Sequence, residues 1–326
     1  MLHSISEVQT MIATGEFLLL AGSETALTQL PRGNWIAGTI PYFMAEEGGT
    51  YSEDRIFVTH LPAAAVKASV LQYTVDSLPQ ICHDAPDNGY SVLILPAATA
   101  VHRAYAENAP HYDGIFLKPI IGWVAGVALE EVGKIKPKVF DGRVAESFTD
   151  RAMVMHVELQ EGTVAELSIL NVFHPGTGDT ITFSQPGFTA SACTVNGNPE
   201  SLASYIVAHK IDRRLPLTAN YNGSVINVAI QDVNTSTGVV RFFAPVFANV
   251  EYRFAAPVAD YLAAFDEAIK NESEVPAFSC NCILNYLYGE LQGKKTGHIT
   301  GPITFGEVAH QVLSQTLVRL ILRTHS

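Results

Sequence analysis

The chain has 326 residues, of which 48% are hydrophobic and only 16% charged, so it can bury a substantial core and is not a disordered segment. It carries 32 acidic and 20 basic side chains, a formal net charge of −12. That balance repels phosphate backbones and anionic bilayers, which argues against nucleic acid and membrane surfaces as partners.

In chain order, Ser4-Ile5-Ser6-Glu7 reads as a capping box opening a helix to about Thr14. Phe17–Ala21 is a buried strand, Ser23–Leu27 a short helix stopped by Pro31 and Gly33, and Asn34–Ile40 the next strand. This strand–helix–strand unit predicts parallel pairing. Ile56–Leu61 is a further strand. The spacing of Val66, Val70, Leu71 and Val75 predicts a helix over 63–78. Tyr90–Leu95 is a strand, Ala98–Asn108 a helix, and Gly114–Leu117 a short buried strand. The first 120 or so residues therefore read as an α/β lobe.

From Val139 onward β-branched and alternating runs dominate. Candidate strands are 152–159, 165–172, 180–183, 191–195, 224–230, 239–243 and 250–255. Asp141-Gly142 and Asn222-Gly223 are hairpin signals. Asn198, Pro199 and Glu200 predict a helix start running to His209. A second helix is expected over 258–269, and 271–274 reads as a surface loop. The expected architecture is α/β of the α+β kind: two lobes with mixed sheets and outer helices. Residues 1–150 form the first lobe and 151–326 a more β-rich second lobe.

No run approaches the ~20 apolar residues of a membrane helix, and the first residues lack a basic n-region, so no cleaved signal is expected. The four cysteines, Cys82, Cys193, Cys280 and Cys282, do not make a disulfide scaffold. A reducing cytoplasm is the expected compartment.

Polar residues concentrate near the carboxy terminus. Cys280-Asn281-Cys282 sits at a predicted strand-to-helix turn, where backbone N–H groups lower a thiol pKa or hold an anion. The competing reading is two small side chains packed beside Phe278. No second cysteine pair completes a zinc site. Glu307 and His310 share a face on a helix but lie on opposite faces of a strand. The Gly306-Glu307 pair reads as a strand end that points Glu307 into a cleft; the alternative is a solvated carboxylate. His-Glu-x-x-His, a nucleophile elbow and a dinucleotide fingerprint are absent. His174–Asp179 has the look of a phosphate loop but reads as a turn. No cofactor or metal is expected. His60, His102 and His156 read as structural, and Trp35, Tyr42, Phe43 and Trp123 as core.

Together these segments resemble the FIST family (F-box and intracellular signal transduction). Ile120–Gly126 followed by Val139–Val144 is similar to the end of its amino-terminal domain. Thr194–Leu202, Val239–Phe242 and Val250–Phe254 are similar to the strands and helix start that follow. Phe278-Ser279-Cys280, Gly306–Ala309 and Thr316-Leu317-Val318 resemble its closing strands. The chain departs from the pattern after Cys280, where the family's arginine is replaced by Cys282 and Ile283. It departs again at Trp123, where a glycine is common, and at Gln315, where an asparagine is usual. Arg319 and Arg143 are the candidate substitutes for that arginine.

The resemblance implies a non-catalytic sensory protein that binds a small molecule, an amino acid or related metabolite. Its ligand-binding residues would be Gly122, Trp123, Cys280, Asn281, Cys282, Gly306, Glu307 and Thr316, lining one cavity. No output domain fits in the chain, so a signalling partner or self-association is expected. The alternative is a cysteine-dependent enzyme using Cys280 or Cys282 with Glu307 or His310. A scaffolding protein without ligand is the third reading.

Overall fold

The computed structural model describes residues 1–221, 224–270 and 274–324. Strands dominate, with short helices between them, and the fold is α+β with mixed sheets. The first sheet runs Leu2–Ser4, Arg55–His60, Leu18–Gly22, Trp35–Thr39, Val139–Asp141, Glu146–Phe148. The second runs Gln311–Leu313, Glu307–Ala309, Ile120–Ala125, Gly89–Pro96, Ala152–Leu159, Ala65–Tyr73. The third runs Thr163–Leu170, Leu317–Thr324, Phe278–Cys282, Gly301–Thr304, Tyr42–Ala45, Gly48–Tyr51. Each holds a single parallel pair amid antiparallel neighbours. Two further sheets, formed from residues 181–254, are antiparallel throughout. No helix among the described residues is long and apolar enough to cross a membrane.

Strands from both sides of residue 150 share the second and third sheets. One continuous core follows from this: Trp123 stacks on Phe278 with ring centroids 5.6 Å apart, and both lie in the same buried cluster as Tyr90, Ile94 and Cys280.

Local signals explain many of the elements. Ser4 accepts from Glu7 N while the Glu7 carboxylate accepts from Ser4 N at 2.7 Å, so the capping box forms and the helix Ile5–Ala13 follows. Ser23 and Thr99 also cap their helices, each accepting through its hydroxyl from the backbone N–H three residues on. Asp141-Gly142 opens the hairpin that joins Val139–Asp141 to Glu146–Phe148.

Three expectations fail. The segment expected to be a helix over 63–78 contains the strand Ala65–Tyr73, which pairs along its length with Ala152–Leu159. The helical spacing of these apolar residues is overridden by hydrogen bonding to Ala152–Leu159, which β-branched residues favour. Gly114–Leu117 is a turn, with Leu117 84% exposed. The helix expected from Asn198 begins at Leu202, capped by Ser201, because Asn198–Ser201 folds back on Ala192–Val195. The cause is Asn196-Gly197, both at positive φ, a tight hairpin turn. The turn expected at Asn222-Gly223 lies outside the described residues, as do 271–273 of the expected 271–274 loop.

One buried charge ties the first sheet to the second. The Asp141 carboxylate accepts from Arg143 Nε at 3.0 Å, Arg143 Nη2 at 2.6 Å and Gln72 Nε2 at 2.8 Å. Arg143 Nη1 in turn donates to Val70 O at 2.7 Å on the strand Ala65–Tyr73. Burial opposes the charge, but the hydrogen bonds from Arg143 and Gln72 outweigh it and hold this carboxyl below its ordinary 3.8. The stabilisation is present above that value and lost as pH falls through the lower folded value. Asp141→Asn is expected to cost about 1–3 kcal/mol in urea unfolding at neutral pH. The deficit should shrink in acid, and an equal cost at every pH would contradict this account.

Candidate functional site

Four separate stretches deliver the polar residues of the carboxy-terminal half to one place. Glu307 begins the strand Glu307–Ala309 and stands opposite Trp123, with Val308 opposite Gly122. Its Oε2 accepts from Thr316 Oγ1 at 2.8 Å and from Thr316 N at 3.2 Å. The Thr316 carbonyl accepts from Cys282 N at 3.1 Å and from Asn285 Nδ2 at 3.3 Å. Asn285 Nδ2 also donates to Asn281 Oδ1 at 2.9 Å. Cys280 Sγ donates to Gly122 O at 3.2 Å. Thr304 Oγ1 donates to Gly306 O at 3.0 Å, beside the Asn281 carbonyl. All eight residues expected to bind ligand therefore belong to one connected cluster.

The sequence builds this locally. Phe278–Cys282 is a strand, so Phe278, Cys280 and Cys282 share a face and Asn281 takes the other. The chain then turns straight into the helix Ile283–Tyr288, which brings Asn285 back over Asn281. Gly122 has no substitute: a Cβ there lies 1.8 Å from the Leu93 carbonyl oxygen. Its missing side chain lets the central strands close while its own carbonyl meets Cys280.

The cluster is sealed. Glu307, Thr316, Cys280, Asn281 and Cys282 are all buried. Two open cavities, of about 320 and 510 Å³, lie elsewhere. The first is walled by residues such as Leu117, Val164 and His310, the second by residues such as Tyr221, Glu251 and Arg253. Burial raises the Glu307 carboxyl to about 8, and the Thr316 hydrogen bonds only partly counter it. Burial, with Glu307 next, also pushes both thiols well above their ordinary value. That reverses the expectation of a helix start lowering a thiol pKa. A thiol held protonated is a poor nucleophile, so this geometry works against cysteine catalysis.

His310 is not the partner of Glu307. It sits at φ 60° in the turn after the strand and bonds Ile115 O through Nδ1 at 2.9 Å. The carbonyl only accepts, so Nδ1 carries the hydrogen. Neither candidate arginine takes the family position. Arg143 is held by Asp141. Arg319 is buried and donates to Ser168 Oγ at 2.9 Å. It pairs with Ser279 while Val318 pairs with Cys280, which places it on the face opposite the thiols.

Several buried polar atoms around the cluster have no protein partner: Glu307 Oε1, Asn281 Nδ2, Asn285 Oδ1 and Gln315 Oε1. Native interiors rarely leave such groups unpaired. Asn285 escaped sequence reasoning; its signal was its place four residues after Asn281 across a strand–helix junction. A second network was also missed, that of Ser91, His156, Tyr73 and Asp84. Ser91 Oγ meets His156 Nδ1 at 2.7 Å, His156 Nε2 meets Tyr73 OH at 2.9 Å, and Tyr73 donates to Asp84 at 2.9 Å. Tyr73 has one hydrogen to give, so the Nε2–H points to Tyr73 and Ser91 donates to Nδ1. Burial drops this imidazole to about 4, keeping it neutral. Among the described residues no three His, Cys, Asp or Glu side chains are grouped as metal ligands.

Residues 3–323 match the model of a family of unknown function, DUF6976. The chain belongs to that family. A search of the curated proteins returned no match. The match spans both the amino-terminal strands and the Glu307 cluster of this DUF6976 protein.

Glu307 gives a signed pH dependence. Its folded pKa lies above the ordinary 4.5, so the native state holds a proton that the unfolded chain releases between 4.5 and about 8. Stability is therefore highest below that window and falls as pH rises through it. Glu307→Gln mimics the neutral acid, and its melting temperature should decline less across the same window. Parallel pH profiles for the two proteins would refute a buried, protonated Glu307. Separately, Cys280 and Cys282 should react with iodoacetamide at least ~100-fold more slowly in the native protein than in urea; comparable rates would show that the cluster is open.

Proposed function

We propose that this protein is a non-catalytic small-molecule sensor of FIST type, and that Glu307, Thr316, Asn281 and Asn285 form its ligand-responsive centre. The observation that carries the reading is the convergence of buried polar atoms lacking protein partners at the place where four distant stretches of chain meet. Polar groups are expensive to bury unpaired, and a ligand offering both donors and acceptors relieves that cost. Amino acids and related metabolites have this character. The sealed arrangement is one of two states; ligand binds the state in which the cluster is reached and shifts the population toward it. Readout passes to a signalling partner or to a second copy of the chain.

A ligand at ~100 times its Kd stabilises the native state by about 2.7 kcal/mol, a shift of several degrees in melting temperature for a protein of this size. A thermal-shift screen of amino acids and their derivatives is expected to yield at least one such compound. Glu307→Gln and Asn281→Ala should each remove most of its shift while remaining folded. A screen without hits sinks the sensor reading, and hits indifferent to both substitutions move the ligand to another site.

A further inference from the structure

The strand Thr163–Leu170 is the edge of the third sheet and pairs along its whole length with Leu317–Thr324 alone. Among the described residues, the backbone of 164–169 makes no hydrogen bond on the other side. An antiparallel strand engages one neighbour through alternate residues, so the remaining N–H and C=O groups project outward and form a template for another strand.

A groove of about 320 Å³ follows this edge. Val164, Ala165 and Leu167 line one wall, and Phe116, Leu117 and Pro119 the other. Val164 and Ala165 belong to opposite faces of the strand, which places the groove along the edge rather than over either face. Its lining mixes apolar side chains with the polar Asp87, Asn88 and His310, and the apolar ones are open: Val164 is 40%, Phe116 48% and Leu117 84% exposed.

Charge decides what the added strand is. Asp87 lines the groove and Glu166 stands on the edge strand. Lys118 and Arg323 pair with them, and such surface pairs are weak. Beyond these pairs, the net charge of −12 on the whole chain favours the approach of a cation at long range. A second copy brings the same field and, in a twofold pairing of this strand with itself, places Glu166 near its own counterpart. A cationic partner is attracted where a second copy is repelled.

We infer that this edge accepts, as an added strand, an extended segment of a partner protein that alternates apolar and cationic residues. Such a surface needs neither a ligand nor the Glu307 cluster, and it is tested apart from them.

The test uses the full chain and a capped peptide of alternating valine and lysine, about eight residues long to match the strand. Its control is a peptide of the same composition interrupted by proline, which keeps the charge and cannot pair. Hydrogen exchange of the backbone over 164–169 should slow about tenfold or more with the alternating peptide and stay unchanged with the control. Leu117→Ser, at an exposed turn position, leaves the fold intact and should weaken the alternating peptide about tenfold. Equal binding of both peptides, or binding indifferent to Leu117→Ser, overturns the proposal. A dimer in light scattering whose 164–169 amides are already protected overturns it in favour of a second copy.

Discussion

The carboxyl of Glu307 bonded to Thr316 is the interaction on which the structure turns. It spans the short hairpin Glu307–Leu313 and clamps the start of the last strand, Leu317–Thr324, to the second sheet. That last strand is the neighbour of both Phe278–Cys282 and Thr163–Leu170. This buried acid joins the Cys280–Gly122 hydrogen bond and the Trp123–Phe278 stack in setting the third sheet against the second. Burial keeps the acid neutral over much of the pH range, and a neutral acid can both accept from Thr316 and donate, which an ionised carboxylate cannot.

Around this clamp buried polar side chains, among them Asn281, Asn285, Thr304 and Gln315, are packed between apolar ones. Gly122 allows the central strands to approach at the point where Cys280 reaches across. Trp123 fills the space in front of Phe278. The thiols act here as small buried side chains whose protons stay on, the opposite of an activated nucleophile. Asn281 and Asn285 bring polarity that such packing tolerates only if something answers it, and this is the physical basis for reading the cluster as a sensing centre. The same logic separates it from the Ser91–His156–Tyr73–Asp84 chain, where every hydrogen bond in the series has a partner and the network looks complete.

On the sensor reading proposed above, the interleaving of the sheets is the route by which a change at the cluster would spread. The second sheet holds strands from 65–73 to 311–313, and the third holds strands from 42–45 to 317–324. A change at Glu307 is felt by both at once, because Thr316 belongs to the approach to the third sheet and Trp123 to the centre of the second. The open edge at Thr163–Leu170 lies one strand away from Leu317–Thr324, which Thr316 precedes.

Local chemistry written into the chain settled the helix starts at Ser4, Ser23 and Thr99 and the strand runs at 18–22, 35–39 and 152–159, because caps and continuous apolar runs act over a few residues. It also named the tail residues that come together, since their types and order were legible without their partners. Other features were decided only by tertiary structure. Residues 65–73 became a strand because Ala152–Leu159 offered hydrogen bonds that no local signal reveals. The Cys280 and Cys282 thiols and the Glu307 carboxyl are hard to ionise because burial, a property of the assembled sheets, sets the cost of charge. The Asn285 bond to the Thr316 carbonyl, the Arg143 bond to Val70 and the edge at Thr163–Leu170 depend on neighbours far away in the chain, and spacing alone cannot say which distant strands will meet.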